Sequence, residues 1–467
     1  MTKTASEHLV SAGDVVKRIG QKRALLAQLP LSIRAGRVRS VSGLLIEVLG
    51  LPLPIGSAAC VENASTGGWI DAECIGFEDN ITYLMAYDAV SGLAPGAVVS
   101  PLLTPLRSPQ GYKMRSGIAS LPIGSALLGR VVDGLGRPLD GFGGARWGAE
   151  KSDTMRPNPI KRLPVSEPID TGVRAINAML TVGRGQRMGL FAGSGVGKSV
   201  LLSMLSRNCV ADVIVIALVG ERSREVREFC EEHLDAVARQ RAVVVASPAD
   251  TSPLARAKGA EYATEVAAWF RERGRHVVLI VDSLSRYAMA LREIALSMGE
   301  APVSRGYPSS VFAKLPELLE RVGNSENSQG SITAFYTVLL EGDDIYEPVA
   351  DAARGALDGH IFLSRELANA GHYPAIDIEK SISRVMPKVT TQDHLLAARK
   401  VKQWVSTYLS HRDMISMGAY MQGSNPELDQ AIKQWSQIQA FLRQEAHQVT
   451  SMEASRMALL QLVRSAV

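Results

Sequence analysis

Long hydrophobic runs are absent from this sequence of 467 residues, and it contains only four cysteines. No apolar stretch approaches the roughly 18 residues that are needed to cross a bilayer. The N-terminus has no apolar core of the kind found in secretory signals. The cysteines are scattered without a C-x-x-C pair, which argues against a disulfide framework and against a zinc site. Together these features predict a cytoplasmic protein.

Aromatic side chains are also scarce, at 5% of the residues. Residues 31–106 combine few aromatics with no alternation of basic and aromatic side chains, so we expect no nucleic-acid partner. Short alternating runs such as 58–61 and 81–85 follow one another in this region, separated by turn residues. That spacing is typical of a small β-barrel, which we predict over residues 31–106.

The net charge of +4 is unevenly distributed. Residues 1–40 carry eight basic and two acidic side chains, a local excess of +6, which leaves −2 for the remainder. Within residues 1–30, the basic side chains interleave with apolar ones in a loosely amphipathic helical pattern. Two interpretations remain open for this basic N-terminal segment. It is either a solvated helix packed on its own domain, or a docking element for an acidic partner or anionic lipid.

Beyond the predicted barrel, the pattern changes twice. From 107 to 386, β-rich runs alternate with helical patterns, which predicts an α/β domain with a parallel sheet flanked by helices. After Pro387, apolar residues recur at helical spacing in two stretches. They are Leu395, Ala398, Val401 and Val405 in the first stretch and Ile432, Trp435, Ile438 and Phe441 in the second. We therefore predict a C-terminal α-helical domain over residues 387–467.

A glycine-rich loop lies between a short apolar strand and an apolar helix. Its glycines let backbone N–H groups turn around phosphate oxygens, and the helix start adds its positive dipole end. Lys198 would reach the β- and γ-phosphates, and the Ser199 hydroxyl would hold Mg²⁺. Ala192 replaces the usual first glycine of the motif, but the next glycine can supply the entry turn. This phosphate-binding loop predicts nucleotide binding by Gly193, Ser194, Gly195, Val196, Gly197, Lys198, Ser199 and Val200.

Two carboxylates follow other predicted strands. Asp282 ends the apolar run 277–281 and could hold the water shell of Mg²⁺, although an Asp at this position could also cap the next helix. Glu221 follows the run Val213–Val219, where its carboxylate could polarise an attacking water, with Arg222 beside it to position phosphate. From spacing alone, a charged surface loop accounts for Glu221 and Arg222 equally well.

Several blocks of the sequence resemble a known superfamily. Residues 220–225, with the sequence Gly-Glu-Arg-Ser-Arg-Glu, closely resemble the catalytic loop of the rotary ATPases, typified by the ATP synthase β subunit. Within that superfamily, the blocks 305–316, 330–339 and 371–384 resemble the type III protein-export ATPases most closely. The resemblance covers most of residues 115–386. It implies a P-loop, RecA-like catalytic domain between an N-terminal barrel and C-terminal helices.

The resemblance also assigns roles to residues. It implies that Glu221 is the catalytic carboxylate and Arg222 the phosphate-sensing arginine beside it. Tyr373 matches the aromatic side chain that stacks on adenine, and Arg384 matches the arginine finger that reaches a neighbour's γ-phosphate. The expected catalytic set is therefore Lys198, Glu221, Arg222 and Arg384, whereas Tyr373 belongs to the nucleotide-binding residues. Because the finger acts across a subunit interface, the resemblance implies a homohexamer, and we expect Mg²⁺ as the cofactor.

The implied function is a Mg-ATP-hydrolysing ring ATPase that releases chaperones and delivers export substrates to a membrane gate. The blocks 371–379 and 426–432 look like the flagellar branch, whereas a virulence injectisome ATPase remains the alternative. Glu221 argues against a non-catalytic ring subunit, and the aromatic-poor barrel argues against an RNA translocase. The partners implied are a stator-like regulator at the N-terminal segment, a central stalk protein, chaperone–cargo complexes and the export gate. That gate places the chain at the inner face of the cytoplasmic membrane.

Overall fold

The computed structural model describes residues 34–108, 111–116, 121–143, 158–326, 329–340, 342 and 344–465. The predicted amphipathic segment 1–30 lies outside these residues. The chain divides into two compact units, Met1–Ser120 and Leu121–Val467. None of the helices in the described ranges is long and apolar enough to cross a membrane.

The first unit contains a closed antiparallel barrel in the order β1-β2-β5-β4-β3-β6. Its strands alternate inward and outward side chains, so that Ile46 and Val48 are buried while Glu47 between them is not. Asp79 takes a left-handed conformation in the tight turn between β4 and β5. The strands are β1 (Gly36–Ser42), β2 (Leu45–Leu49), β3 (Ala58–Glu62), β4 (Trp69–Glu78), β5 (Ile81–Ala86) and β6 (Val98–Pro101). The barrel predicted from the alternating runs is confirmed.

A separate two-stranded hairpin, β7 (Leu103–Ser108) and β8 (Gly111–Ser116), follows the barrel.

The second unit is built on a sheet in the order β19-β18-β10-β17-β13-β11-β12-β9, with β16 paired to β17. The strands from β9 to β18 on this path pair in parallel, whereas β16 and β19 are antiparallel additions. All seven residues of β11 are buried, as a parallel strand covered on both faces requires. The strands are β9 (Val131–Asp133), β10 (Arg187–Ala192), β11 (Val213–Val219), β12 (Ala242–Ser247), β13 (His276–Asp282), β16 (Gly323–Asn324), β17 (Ser331–Leu339), β18 (Gly359–Leu363) and β19 (Ile376–Ser383). A small hairpin of β14 (Pro302–Ser304) and β15 (Tyr307–Pro308) stands apart from this sheet.

Helices cover the sheet, and their starts follow ordinary capping rules. In the longest, α5, the Ser252 hydroxyl accepts the Ala255 N–H and Pro253 opens the first turn. The helices before the C-terminal region are α1 (Arg174–Met179), α2 (Lys198–Asn208), α3 (Ser223–Glu228), α4 (Ala236–Gln240), α5 (Pro253–Glu272), α6 (Leu284–Ser297), α7 (Ser309–Leu319), α8 (Pro348–Ala356) and α9 (Arg365–Asn369). A 3₁₀ turn lies at Ser125–Leu127, and a π turn at Phe229–His233 extends α3.

The C-terminal region is helical, as predicted, and its helices pack against α1 within the second unit. On α13, Ile438 and Phe441 are buried as expected, whereas Trp435 is half-buried and stacks on the Tyr408 ring with 3.9 Å between the ring centroids. The buried face of α13 is completed by Gln434. The helices are α10 (Met386–Val389), α11 (Gln392–Ser410), α12 (Arg412–Ser416), α13 (Pro426–Leu442) and α14 (Met452–Arg464). The fold class predicted from the sequence is therefore confirmed.

Candidate functional site

The glycine-rich loop joins β10 to α2. Gly195 and Gly197 take left-handed φ angles of 76° and 88°, which L side chains rarely adopt, and Gly197 caps α2. The Leu340 N–H donates to the Ala192 carbonyl at 3.0 Å and fixes the start of the loop. The Val196 side chain is 1% exposed and lies in the hydrophobic core, so only its backbone can face a ligand. The loop is therefore a concave array of backbone N–H groups at a helix start.

Three charged side chains converge above this loop. The Lys198 amine donates to Glu221 Oε1 at 3.1 Å and to Asp282 Oδ1 at 2.5 Å. They meet because β10, β11 and β13 are parallel, which brings their carboxyl ends to one edge of the sheet. From β17, between β10 and β13, Thr337 Oγ1 donates to Asp282 Oδ1 at 2.7 Å. The sequence analysis did not identify Thr337, because its contact depends on the order of strands.

The electrostatics of this cluster set its protonation. Burial disfavours the charge on Lys198, but the charges of Asp282 and Glu221 outweigh burial and raise the pKa of the amine. Burial and then the charge of Asp282 raise the pKa of Glu221 to about 7. A carboxyl group poised near neutrality in a cleft is suited to accept a proton from water.

A pocket of about 860 Å³ opens over the loop and is lined by Glu221, Arg222 and α6 residues. Arg222 lies at its rim with its side chain 79% exposed. Gly220 has a φ of 69°, and a Cβ there would lie 2.9 Å from Arg286 Cβ, so a glycine permits this close approach. Arg286 Nε is buried and has no hydrogen-bond partner in the described part of the chain. Arg286 therefore adds a second arginine to the lining of the pocket, and the sequence analysis missed it.

The oxygen donors of the pocket fit a hard divalent cation such as Mg²⁺. The exposed Ser199 faces the pocket, whereas Asp282 is 4% exposed and lies behind the Lys198 amine. This placement suits contact between Asp282 and a cation through water. No group of three His, Cys, Asp or Glu side chains within the described ranges forms a cage by itself. A cation here would complete its coordination with water and with phosphate oxygens of a ligand.

Tyr373 and Arg384 do not belong to the cluster of charged side chains above the loop. Tyr373 lies beside the loop, whereas Arg384 lies far from it. The Tyr373 ring borders the loop, since a Cβ on Gly197 would lie 3.2 Å from Tyr373 Cε1, and the side chain is 46% exposed. Arg384 follows β19, and its backbone N–H donates to the backbone carbonyl of Asp358. The Asp358 carboxylate in turn accepts from the Arg187 guanidinium at the start of β10. The loop begins at the other end of β10, about 17 Å away at about 3.3 Å per residue. Arg384 therefore lies far from the pocket of its own chain.

Comparison with known proteins identifies the family. Residues 172–383 match the nucleotide-binding domain of the ATP synthase alpha/beta family, and residues 390–461 match the C-terminal domain of the type III secretion ATPase EscN. The chain is 53% identical over 440 residues to the flagellum-specific ATP synthase of Salmonella typhimurium, which covers 93% of this chain and 95% of the relative. It is 42% identical over 435 residues to a type 3 secretion system ATPase of Xanthomonas euvesicatoria, covering 92% and 94%.

Solved structures agree with this relationship. The assembled EscN ATPase of enteropathogenic E. coli superposes with a TM-score of 0.83 at 39% identity, covering 92% of this chain and all of the EscN chain. A second structure, EscN in complex with its central stalk EscO, gives a TM-score of 0.80 at 40% identity with the same coverage. The chain therefore belongs to the ATP synthase alpha/beta family, in the branch of the flagellum-specific and type III secretion ATPases.

Proposed function

We propose that this chain is a Mg-ATP-hydrolysing ring ATPase that energises type III export of flagellar proteins. The observation that carries the proposal is the convergence of Lys198, Glu221 and Asp282 above a phosphate-binding loop. The flagellar assignment is supported by identities of 53% and 52% to flagellum-specific relatives, against 42% to the injectisome-type relative. If the cellular test described below gives normal motility and intact filaments, the function to be assigned is that of an injectisome ATPase.

Each residue of the pocket has a separate role in ATP hydrolysis. The loop N–H groups and Lys198 hold the β- and γ-phosphates, and Lys198 exchanges its carboxylate partners for phosphate oxygens as the nucleotide enters. Ser199 and, through water, Asp282 hold Mg²⁺, which neutralises phosphate charge. Glu221 orients the attacking water and accepts its proton, while Arg222 and Arg286 stabilise charge on the γ-phosphate. Tyr373 stacks on adenine at the open side of the loop.

A ring completes the site. Arg384 lies at the opposite end of β10 from its own loop, which supports a role at the pocket of a neighbouring subunit. The structure of EscN as an assembled ATPase supports this arrangement, and we propose a homohexamer with Arg384 as a finger in trans. The EscN–EscO complex supports a central stalk protein as partner. We further propose that the ring docks at the inner membrane face, where it receives chaperone–cargo complexes and delivers cargo to the export gate, with a stator-like regulator at the N-terminal segment.

The proposal predicts loss of flagellar export when nucleotide binding is removed. A Lys198→Ala gene replaces the native one, and motility and extracellular filament protein are measured together. We expect both to disappear and to return with a wild-type copy, because the loop without its lysine cannot hold the phosphates. Normal motility with intact filaments would contradict the flagellar assignment, and secretion of virulence effectors would then be assayed.

The pKa of Glu221 predicts the pH dependence of turnover. In the free enzyme kcat/KM should rise about tenfold per pH unit below pH 7 and level off above it, because only the deprotonated carboxylate accepts a proton from water. The measurement is kcat/KM for ATP from pH 5.5 upward, with ring assembly monitored at each pH. A Tyr373→Phe variant keeps every titrating carboxylate and should give the same inflection. A profile that is flat across this range would contradict the role of Glu221.

A further inference from the structure

The side of the pocket proposed for the nucleobase is tied to the C-terminal region by a backbone hydrogen bond. The Tyr373 ring is about half exposed, so packing in the core does not by itself fix its position. The backbone of Tyr373 is held by Gln444, whose N–H donates to the Tyr373 carbonyl at 3.0 Å. Gln444 follows the end of α13 by two residues. The place of the proposed adenine contact therefore depends on the segment that leaves α13.

Gln444 is itself fixed by the hydrogen bonds of its side chain, which is buried at 4% exposure. Its Oε1 accepts the backbone N–H of Arg174, the first residue of α1, at 2.7 Å. Its Nε2 donates to the carbonyls of Gly172 and Gln448 at 2.8 Å each. The buried amide therefore has its oxygen and both its hydrogens bonded. Such a group specifies one arrangement, because a shift would leave buried polar atoms without partners.

The segment that accepts from Gln444 lies against α2, the helix that begins at the phosphate-binding loop. Gly172 has a φ of 70°, and a Cβ there would clash with Asn208, the last residue of α2. From the same helix, Arg207 Nη2 donates to the carbonyl of Ala446 at 3.0 Å. Gln444 therefore lies between the helix that carries the phosphate-binding loop and the aromatic residue beside that loop.

The residue before Tyr373 is held by the same part of the chain. His372 is buried, and its Nδ1 lies 2.7 Å from Gln439 Oε1 on α13 and 3.3 Å from Arg443 Nε. Arg443 is exposed, and its contact supports the one made by its neighbour Gln444. Two successive residues of the C-terminal region thus contact two successive residues at the proposed nucleobase site.

We propose that Gln444, supported by Arg443, is a positioning residue for the nucleobase of the bound nucleotide. By holding Tyr373 in place beside the phosphate-binding loop, it sets how much affinity the base adds to that of the phosphates. Gln444 is not among the residues that line the pocket over the loop, so its effect is confined to ligands that carry a base. This inference rests on the proposed stacking of Tyr373 on adenine and adds the residue that orients the ring.

The test compares two ligands that share a triphosphate and differ in the base. Dissociation constants of Mg-ATP and of Mg-tripolyphosphate are measured by calorimetry on the full-length chain. Gln444→Met keeps the volume of the side chain and removes its three hydrogen bonds. We expect this variant to weaken ATP binding about tenfold, which is within the range that base stacking on an aromatic ring contributes. Tripolyphosphate binding should not change, because that ligand has no base to stack.

Gln434→Leu is the matched control, because it also removes a buried amide from the C-terminal region. The Gln434 amide has no hydrogen-bond partner among the described residues and is not linked to Tyr373. Both ligands should bind this variant as they bind the wild type. Tyr373→Ala should reproduce the selective loss of ATP affinity, and adding Gln444→Met to it should cause no further loss, since the positioned ring is gone.

Each outcome has a distinct meaning once circular dichroism has verified folding. If Gln444→Met weakens both ligands equally, its effect is on the pocket as a whole and the positioning role is overturned. Unchanged ATP affinity overturns that role as well. If Tyr373→Ala causes no selective loss, the proposed stacking is wrong and the inference falls with it. Arg443→Met covers the case in which Gln444→Met does not fold, because this exposed side chain can be replaced safely. It should give a smaller selective loss of ATP affinity, and equal weakening of both ligands would contradict the proposal.

Discussion

The substitution Glu221→Gln is expected to lower kcat for ATP hydrolysis by about 10³-fold, within the usual range of about 10²–10⁴ for general-base catalysis. Glutamine keeps the size of the side chain, and its amide oxygen still accepts from the Lys198 amine, so the pocket should remain assembled. It cannot take a proton from water. Burial and the charge of Asp282 raise the pKa of the Glu221 carboxyl group to about 7. The variant has no such carboxyl group and therefore no proton acceptor at this position.

Single-turnover hydrolysis and nucleotide affinity, measured on the same assembled rings, separate chemistry from binding. Glu225 offers a comparison, because it is a second carboxylate that lines the same pocket and its side chain hydrogen-bonds to Glu221. Glu225→Gln should retain most of the turnover. Unchanged hydrolysis by Glu221→Gln would contradict its assignment as the base, and it would revive the idea of a ring subunit that binds nucleotide without cleaving it.

The phosphate-binding loop and Asp282 could be predicted from the sequence because their signal is local. A strand, a glycine-rich loop and a helix start are contiguous, and Asp282 directly follows its strand. Thr337 and Arg286 could not be found in the same way. Thr337 reaches Asp282 only because β17 lies between β10 and β13. The Arg286 side chain can pack close to the backbone after β11 only because residue 220 is a glycine.

The sequence analysis assigned no strand at either edge of the sheet in the second unit, for two different reasons. Strand β9 has only three residues, too few for a periodic pattern to be recognised. Strand β19 does alternate between apolar and polar residues, and its pairing with β18 is antiparallel at the sheet edge. The signal of β19 was therefore present, but the region was interpreted only through its resemblance to the export ATPases.

The second large effect concerns Arg384. The substitution Arg384→Ala should lower kcat by about 10³–10⁵-fold, because an arginine finger stabilises charge that develops on the γ-phosphate in the transition state. Nucleotide affinity of the separate chain should not change, since Arg384 lies at the far end of β10 from its own loop. The measurement pairs steady-state turnover with nucleotide binding at a concentration too low for rings to form. Arg354→Ala is a matched control, because it removes a nearby arginine side chain but keeps the backbone carbonyl that accepts from Arg384 Nη2.

The position of Arg384 also fixes how activity depends on concentration. A chain whose finger serves a neighbour holds half of each site, so an isolated subunit hydrolyses ATP no faster than the Arg384→Ala variant. Wild-type activity should therefore rise more steeply than linearly with protein concentration until rings dominate, whereas the variant should stay linear throughout. Specific activity of the wild type that remains constant over a roughly hundredfold dilution, which shifts any assembly equilibrium, would show that each site is complete within one chain.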